Sequence, residues 1–252
     1  MQSDFTTHQF LDGSSFETVI DRYNFDRHYR LILFDAIERI EIALRTKMIY
    51  HMSLAHGPLW YADNSLFDNN TRHTNHLTKL KKEFGYSQEI FAIDHKRKLP
   101  KQDPESWKIL EVASMGILSK FYENINHQLP AKSKIAKEMG LNLHKELSSW
   151  LEAITYVRNI IAHHSRLWSR RMIKKPTPTL NNFNYDWLIL PLQRNEEQKV
   201  FLITTCLLHL CNIVTPNHQI KDKFITLLTS NHQIPIHKLG FNDRWQTHPI
   251  WL

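Results

Sequence analysis

The chain has 252 residues, 42% apolar and 23% charged, which is enough to bury a substantial core and is too apolar for a disordered segment. Its net charge of +7 and pI of about 9.3 favour anionic partners, nucleic acid or an anionic membrane, without choosing between them, and sixteen histidines add to the positive charge below neutral pH. Six glycines speak against a turn-rich β architecture, and no run approaches the ~18 to 20 apolar residues of a membrane span.

In chain order, Phe16 to about Leu54 reads as helix, with Asp12, Ser14 and Ser15 as capping oxygens and Glu17 close behind. A second start at Asn24 to Asp26 opens a long helix. Its apolar positions Leu33, Ile37, Ile40, Leu44 and Met48 step by three or four residues, and His56-Gly57-Pro58 ends it. Tyr61 to Leu99 is less regular. Trp60-Tyr61 anchors a loop there, Thr74 to Gly85 forms a short polar helix, and His95 to Lys101 is an exposed basic run.

Pro104-Glu105 opens a helix through Asn126, with a buried stripe of Trp107, Leu110, Ala113, Ile117, Phe121 and Tyr122, and Met115-Gly116 as a point of close packing. A short helix from Lys132 to Met139 stops at Gly140, and the next runs from about Leu143 to Trp168. Lys175-Pro176-Thr177-Pro178 breaks the chain. Trp187 to Leu192 fits a strand, a short helix or a buried loop. Gln198 to Val214 reads as a mostly buried helix and Asp222 to Ser230 as a shorter one, and the aromatic-rich tail from Leu239 to Trp251 packs back on the body. Without repeats or a long linker, residues 1–252 are expected to form a single all-α domain.

Cys206 and Cys211, five residues apart on an apolar helix, read as buried thiols of a reducing cytosol. The polar N-terminus lacks a signal-peptide apolar run. The most apolar stretch, Val200 to Val214, is short and contains His209 and Asn212. A cytoplasmic protein with no membrane partner is the expectation.

The densest chemistry lies in Val157 to Arg171, VRNIIAHHSRLWSRR. Arg158, Asn159 and His163 sit within two helical turns, followed by Arg166, Arg170, Arg171, Lys174 and Lys175, and no acidic residue occurs from Ala153 to Tyr185. Arginine grips phosphate with two parallel hydrogen bonds, and histidine moves a proton near neutral pH. The combination points to a phosphodiester, most plausibly in RNA. With Ile154 at the centre of the buried face, Leu147 and Ile161 fall within about 20° of it, and Trp150, Leu151 and Val157 within about 60°. His163 points about 180° away, in a polar stripe with Glu152, Tyr156, Asn159 and Arg166. His164 and the basic run extend this candidate RNA surface; the bland alternative for the run is a solvated face.

Arg158 falls about 40° from the apolar centre and about 140° from His163. On one straight helix the two diverge, so a homodimer with facing motif helices is expected to complete the site. The alternative for Arg158 is a structural ion pair with Glu38 or Glu41. The chemistry expected needs no metal or other cofactor. Adjacent His163-His164 diverge by about 100° without an HxxxH partner, and no phosphate-binding glycine loop or GxSxG elbow occurs.

RNIIAHHSRLW resembles the signature of the Abi-like abortive-infection proteins of bacteria, the AbiD/AbiF type, within the HEPN superfamily. The mark of that superfamily is an arginine, a polar residue, and a histidine four to six residues after the arginine; Arg158, Asn159 and His163 match it. Leu11 to Thr46, Trp107 to Tyr122 and Leu239 to Trp251 resemble further family blocks in the same order. Two departures stand out. Members usually carry an additional N-terminal segment with a YYRL-type motif, which this chain is expected to lack, and Ser169 stands where the family has asparagine.

The resemblance implies a HEPN-type helical bundle with extra helices and an aromatic-rich C-terminal tail. It also implies a metal-independent, toxin-like endoribonuclease of phage defence, held in check by an inhibitory protein or RNA. The alternatives are a non-catalytic RNA-binding or RNA-scaffolded defence component and a purely structural helical protein.

Overall fold

The computed structural model describes residues 15–177, 186–231 and 233–252. The expected capping residues Asp12 and Ser14, the first part of the Leu11 to Thr46 block, and Pro178 of the chain break lie outside the described residues. Among the described residues there are ten α-helices and no strand. They are α1 (Phe16–His56), α2 (Asn70–Tyr86), α3 (Ile90–Lys98), α4 (Ser106–Ile109), α5 (Met115–Asn124), α6 (Pro130–Glu138), α7 (His144–Ala162), α8 (Arg194–Gln198), α9 (Val200–Val214) and α10 (Ile220–Ser230). The fold is all-α, as expected.

Helix α1 is one unbroken helix of 41 residues. Ser15 caps it by accepting the Thr18 N–H at 3.2 Å. The second start read at Asn24 to Asp26 is corrected, because both residues lie inside the helix and the Asp26 carboxylate serves a distant loop instead. The seam Leu33, Ile37, Ile40, Leu44 and Met48 is buried as the spacing predicts. Helices α5, α6, α7, α9 and α10 all pack on α1.

The helix expected from Pro104 to Asn126 is two helices, α4 and α5. At the break, Ser114 is extended and its N–H goes to the Glu83 carboxylate at 3.2 Å. Leu110, Ala113, Ile117, Phe121 and Tyr122 are buried, but Trp107 on short α4 is 48% exposed. The basic run beginning at His95 is only partly exposed: His95 is buried, and Lys96 donates to the Gly85 carbonyl at the end of α2 and to the carbonyl of its C-cap Ser87, both at 2.9 Å.

Gly140 closes α6 at φ +82°, and a Cβ there would lie 2.6 Å from Ile213 Cγ1, so only glycine lets this turn touch α9. Trp187 to Leu192 is an irregular loop with Leu188 buried. The tail packs back: Phe241 meets Phe201 and Tyr29, and Trp245 meets Trp251 edge-on at 5.1 Å. Cys206 and Cys211 are free and buried; burial pushes Cys211 up to about 12 and Cys206 well above the ordinary thiol range. Among the described residues no helix is long and apolar enough to cross a membrane.

Candidate functional site

Helix α7 buries the face its periodicity predicts: Leu147, Trp150, Leu151, Ile154, Val157 and Ile161 are all buried. That orientation leaves Arg158 half-buried at the edge of the core and Asn159 exposed. Tyr156, expected on the polar stripe, is half-buried and packs against the core.

The helix stops at Ala162, short of the predicted Trp168. His164 N–H donates to the Ile161 carbonyl and Ser165 N–H to the Ile160 carbonyl, each at 2.9 Å. These two bonds form a Schellman motif. His164 occupies its left-handed position at φ +54°, where glycine is usual and histidine is among the few tolerated alternatives. The prediction that Arg166 continues the helical stripe is therefore corrected: Arg166 lies past the reversal, off the helix. His163 is the C-cap and is exposed.

The turn is held from α1. Asp26 Oδ1 accepts the N–H groups of Leu167 at 3.0 Å and Trp168 at 2.7 Å, while Oδ2 takes Arg30 Nε at 3.0 Å. Asp26 and Arg30 are 5% and 7% exposed, so this is a buried ion pair with its oxygens spoken for. Trp168 also packs edge-on against Phe25 at 5.9 Å. Sequence reading missed this clamp because Asp26 resembled a helix cap.

Two hollows meet at Arg158. A cleft of about 520 Å³ is lined by α1 residues Tyr23, Arg27, Arg30, Leu31 and Phe34, and by Arg158, Ile161, Ala162 and His164. No carboxylate lines it. A groove of about 310 Å³ continues along α1 past Phe34 and Arg158 and is lined by Glu38, Glu41 and Glu111 together with Arg45.

Arg158 has no hydrogen bond or ion pair among the described residues. Among the described residues Arg158 makes no ion pair within 4 Å with Glu38 or Glu41; Glu41 is held by Arg45 at 3.1 Å and feels the charge of Arg158 without touching it. Burial raises the Glu41 carboxyl above its usual range; the charges of Arg45 and Arg158 work against that rise, and Glu38 adds to it.

The cleft thus brings Arg158 together with His164; His163 and Asn159 do not line it. Much of the downstream basic run has local partners. Lys174 pairs with Glu152 at 2.6 Å, Lys175 with Glu197 at 3.6 Å, and Arg170 Nε donates to the Arg166 carbonyl at 2.7 Å. Arg166 and Arg171 keep exposed side chains. Among the described residues Arg27 on α1, which also lines the cleft, has no hydrogen bond or ion pair, and sequence reading passed over it. Its signal was present in the helical spacing of Tyr23, Arg27, Leu31 and Phe34. Among the described residues no group of three or more His, Cys, Asp or Glu side chains could hold a metal ion.

Neither a curated protein nor a solved structure matches the chain. Residues 1–169 match the Abi-like protein family, 169 of the 252 residues. The match covers α1 to α7, the Asp26-held turn and every residue lining the cleft, and leaves the Leu239 to Trp251 block outside. The chain belongs to the Abi-like protein family, which points to abortive-infection defence.

Proposed function

We propose that the chain is a metal-independent endoribonuclease of HEPN type that acts in abortive-infection defence and works in the bacterial cytoplasm. His163 accepts the 2′-hydroxyl proton as the 2′-oxygen attacks phosphorus, or delivers a proton to the departing 5′-oxygen. The O2′–P bond forms and the P–O5′ bond breaks, leaving a 2′,3′-cyclic phosphate and a 5′-hydroxyl. Arg158 stabilises the charge gathered on the phosphorane-like transition state, and Asn159 orients His163 or bonds the phosphate. Tyr156, His164, Arg166, Arg170, Arg171, Lys174 and Lys175 are the proposed RNA-facing residues, and an inhibitory protein or RNA keeps the activity off.

The observation that carries this reading is the state of Arg158. A half-buried guanidinium with no hydrogen bond or ion pair among the described residues, between an acid-free cleft and the Glu41 charge that it only feels at a distance, is poised for an external anion. Because His163 does not line that cleft, one chain carries half of the chemistry. A second copy with its motif helix facing the first supplies the other histidine and arginine. Specific RNA cleavage per chain should therefore fall on dilution through the dimer–monomer transition, read beside sedimentation at the same concentrations. A strictly monomeric protein that still cleaves RNA would refute the shared site.

The second reading keeps the RNA and drops the turnover. It draws on the same separation of His163 from Arg158 and describes an RNA-binding defence component. Salt-dependent RNA binding without cleavage at any protein concentration would favour it.

A further inference from the structure

The cleft on α1 is more specific than a basic surface. Tyr23, Arg27, Arg30, Leu31 and Phe34 fall within a stripe about 100° wide on the helix. Beside the fully buried seam of the same helix, this stripe leaves Tyr23 61% and Phe34 41% exposed. Between them in sequence stands Arg27, exposed and with no hydrogen bond or ion pair among the described residues. Across the cleft stands Arg158, a second guanidinium with no hydrogen bond or ion pair among the described residues, and His164 stands at the end of the wall.

A single exposed ring would mean little, since much of any protein surface is apolar. Two exposed rings flanking a free guanidinium are a different matter. Aromatic faces stack on any nucleobase, and guanidinium groups take phosphate in a bidentate grip. The volume of about 520 Å³ suits a nucleotide-sized ligand. Past Arg158, Glu38, Glu41 and Glu111 line the adjoining groove, and a polyanion is repelled there.

Tyr23 and Phe34 stand about 16 Å apart along α1, so the geometry points to a strand-binding subsite in which one unpaired base stacks on Tyr23 and another, further along the strand, on Phe34, while Arg27 holds a phosphate between them beside Arg158. The occupant is single-stranded RNA, because a base inside a duplex has no free face to give. This rests on the RNA reading above and deepens it by adding recognition residues on α1: Tyr23, Arg27 and Phe34.

The test is binding of a labelled single-stranded oligoribonucleotide, followed by fluorescence anisotropy on the full chain carrying His163→Ala. A duplex of the same sequence and an abasic strand of the same length are the comparison probes. The single strand should bind tighter than either. Tyr23→Ala and Phe34→Ala should each weaken it about tenfold and shrink its advantage over the abasic strand, and the double variant should remove that advantage. Phe34→Leu, which keeps bulk but loses the ring, should act like Phe34→Ala, and thermal melts establish that each variant is folded. Arg27→Gln should weaken binding and lower the slope of log affinity against log salt by about 0.7.

Equal binding of all three probes, no binding at low salt, or unchanged affinity in the Tyr23 and Phe34 variants would overturn the subsite. So would variants that turn a dimer into monomers with RNA affinity intact, which would assign the stripe to contact between copies. Cleavage is read separately on protein with His163 intact. Base-dependent binding without cleavage removes the nuclease and leaves the subsite, while cleavage without base-dependent binding removes the subsite alone.

Discussion

The two hollows that meet at Arg158 share one wall of α1 and differ in charge and in surface. One holds Arg27, Arg30, Arg158 and His164 with two exposed rings; the other holds Glu38, Glu41 and Glu111 around Arg45. The chain's net charge of +7 describes neither. Local charge decides where a polyanion can lie, and here the boundary between attraction and repulsion falls on the arginine of the sequence motif.

The largest effect expected from breaking this contrast is on catalysis. Arg158→Ala should lower RNA cleavage about 10²- to 10³-fold, the usual loss for a transition-state charge partner. Glu111→Gln on the acidic side should leave the rate near that of the parent in the same gel assay. Comparable losses on both sides would erase the distinction between the hollows.

Next in size is the clamp that holds the cleft's far end. Asp26→Ala strips Leu167 and Trp168 of their acceptor and leaves Arg30 buried without a carboxylate. Urea denaturation should show a loss of roughly 3 kcal/mol. Asp26→Asn, which keeps an oxygen for the two N–H groups, should recover part of it. An unchanged midpoint in Asp26→Ala would remove the clamp from the account.

A smaller effect separates fold from function at the turn itself. His164→Gly relieves the left-handed backbone at φ +54° and should stabilise the protein by about 1 kcal/mol. If the imidazole meets RNA in the cleft, the same variant should bind or cleave RNA less well. A gain in both stability and activity would mark His164 as merely tolerated.

The smallest effect is a pH dependence away from the site. Burial holds His209 below the usual histidine range, opposed by its hydrogen bond to the Gly140 carbonyl, and it stacks on Trp187 at 4.5 Å. The unfolded chain therefore binds this proton first. The stabilising contribution is present above the unfolded value near 6.5 and is lost as pH falls from there through the depressed folded value. Urea midpoints should drop between neutral pH and about pH 5, and His209→Gln should flatten that drop.

Much of the fold was legible because periodicity is a property of neighbours in sequence. The buried face of α7 and the seam of α1 follow from spacing alone. What sequence missed were bonds between distant residues. Asp26 looks like a cap until Leu167 and Trp168, far along the chain, present their N–H groups to it. Ser114 looks like mid-helix until Glu83 takes its N–H. The end of α7 was misread for the same reason: Ile160 to Trp168 continues a helical pattern, and only the Schellman turn with its α1 clamp stops it. At the site, the divergence of Arg158 from His163 was readable from helix geometry. The stripe of Tyr23, Arg27, Leu31 and Phe34 was readable as helical spacing, but its place as the cleft wall was not, because nothing local in it says that α7 ends beside it.

The central claim is that the end of α7 carries RNA-cleaving chemistry dependent on His163. Its most direct test is incubation of the purified chain with mixed RNA in EDTA beside His163→Ala, with product ends resolved chemically. The account predicts fragments with 2′,3′-cyclic phosphate and 5′-hydroxyl ends from the parent, and a rate at least about 10²-fold lower from the variant. Equal cleavage by the two proteins would contradict it.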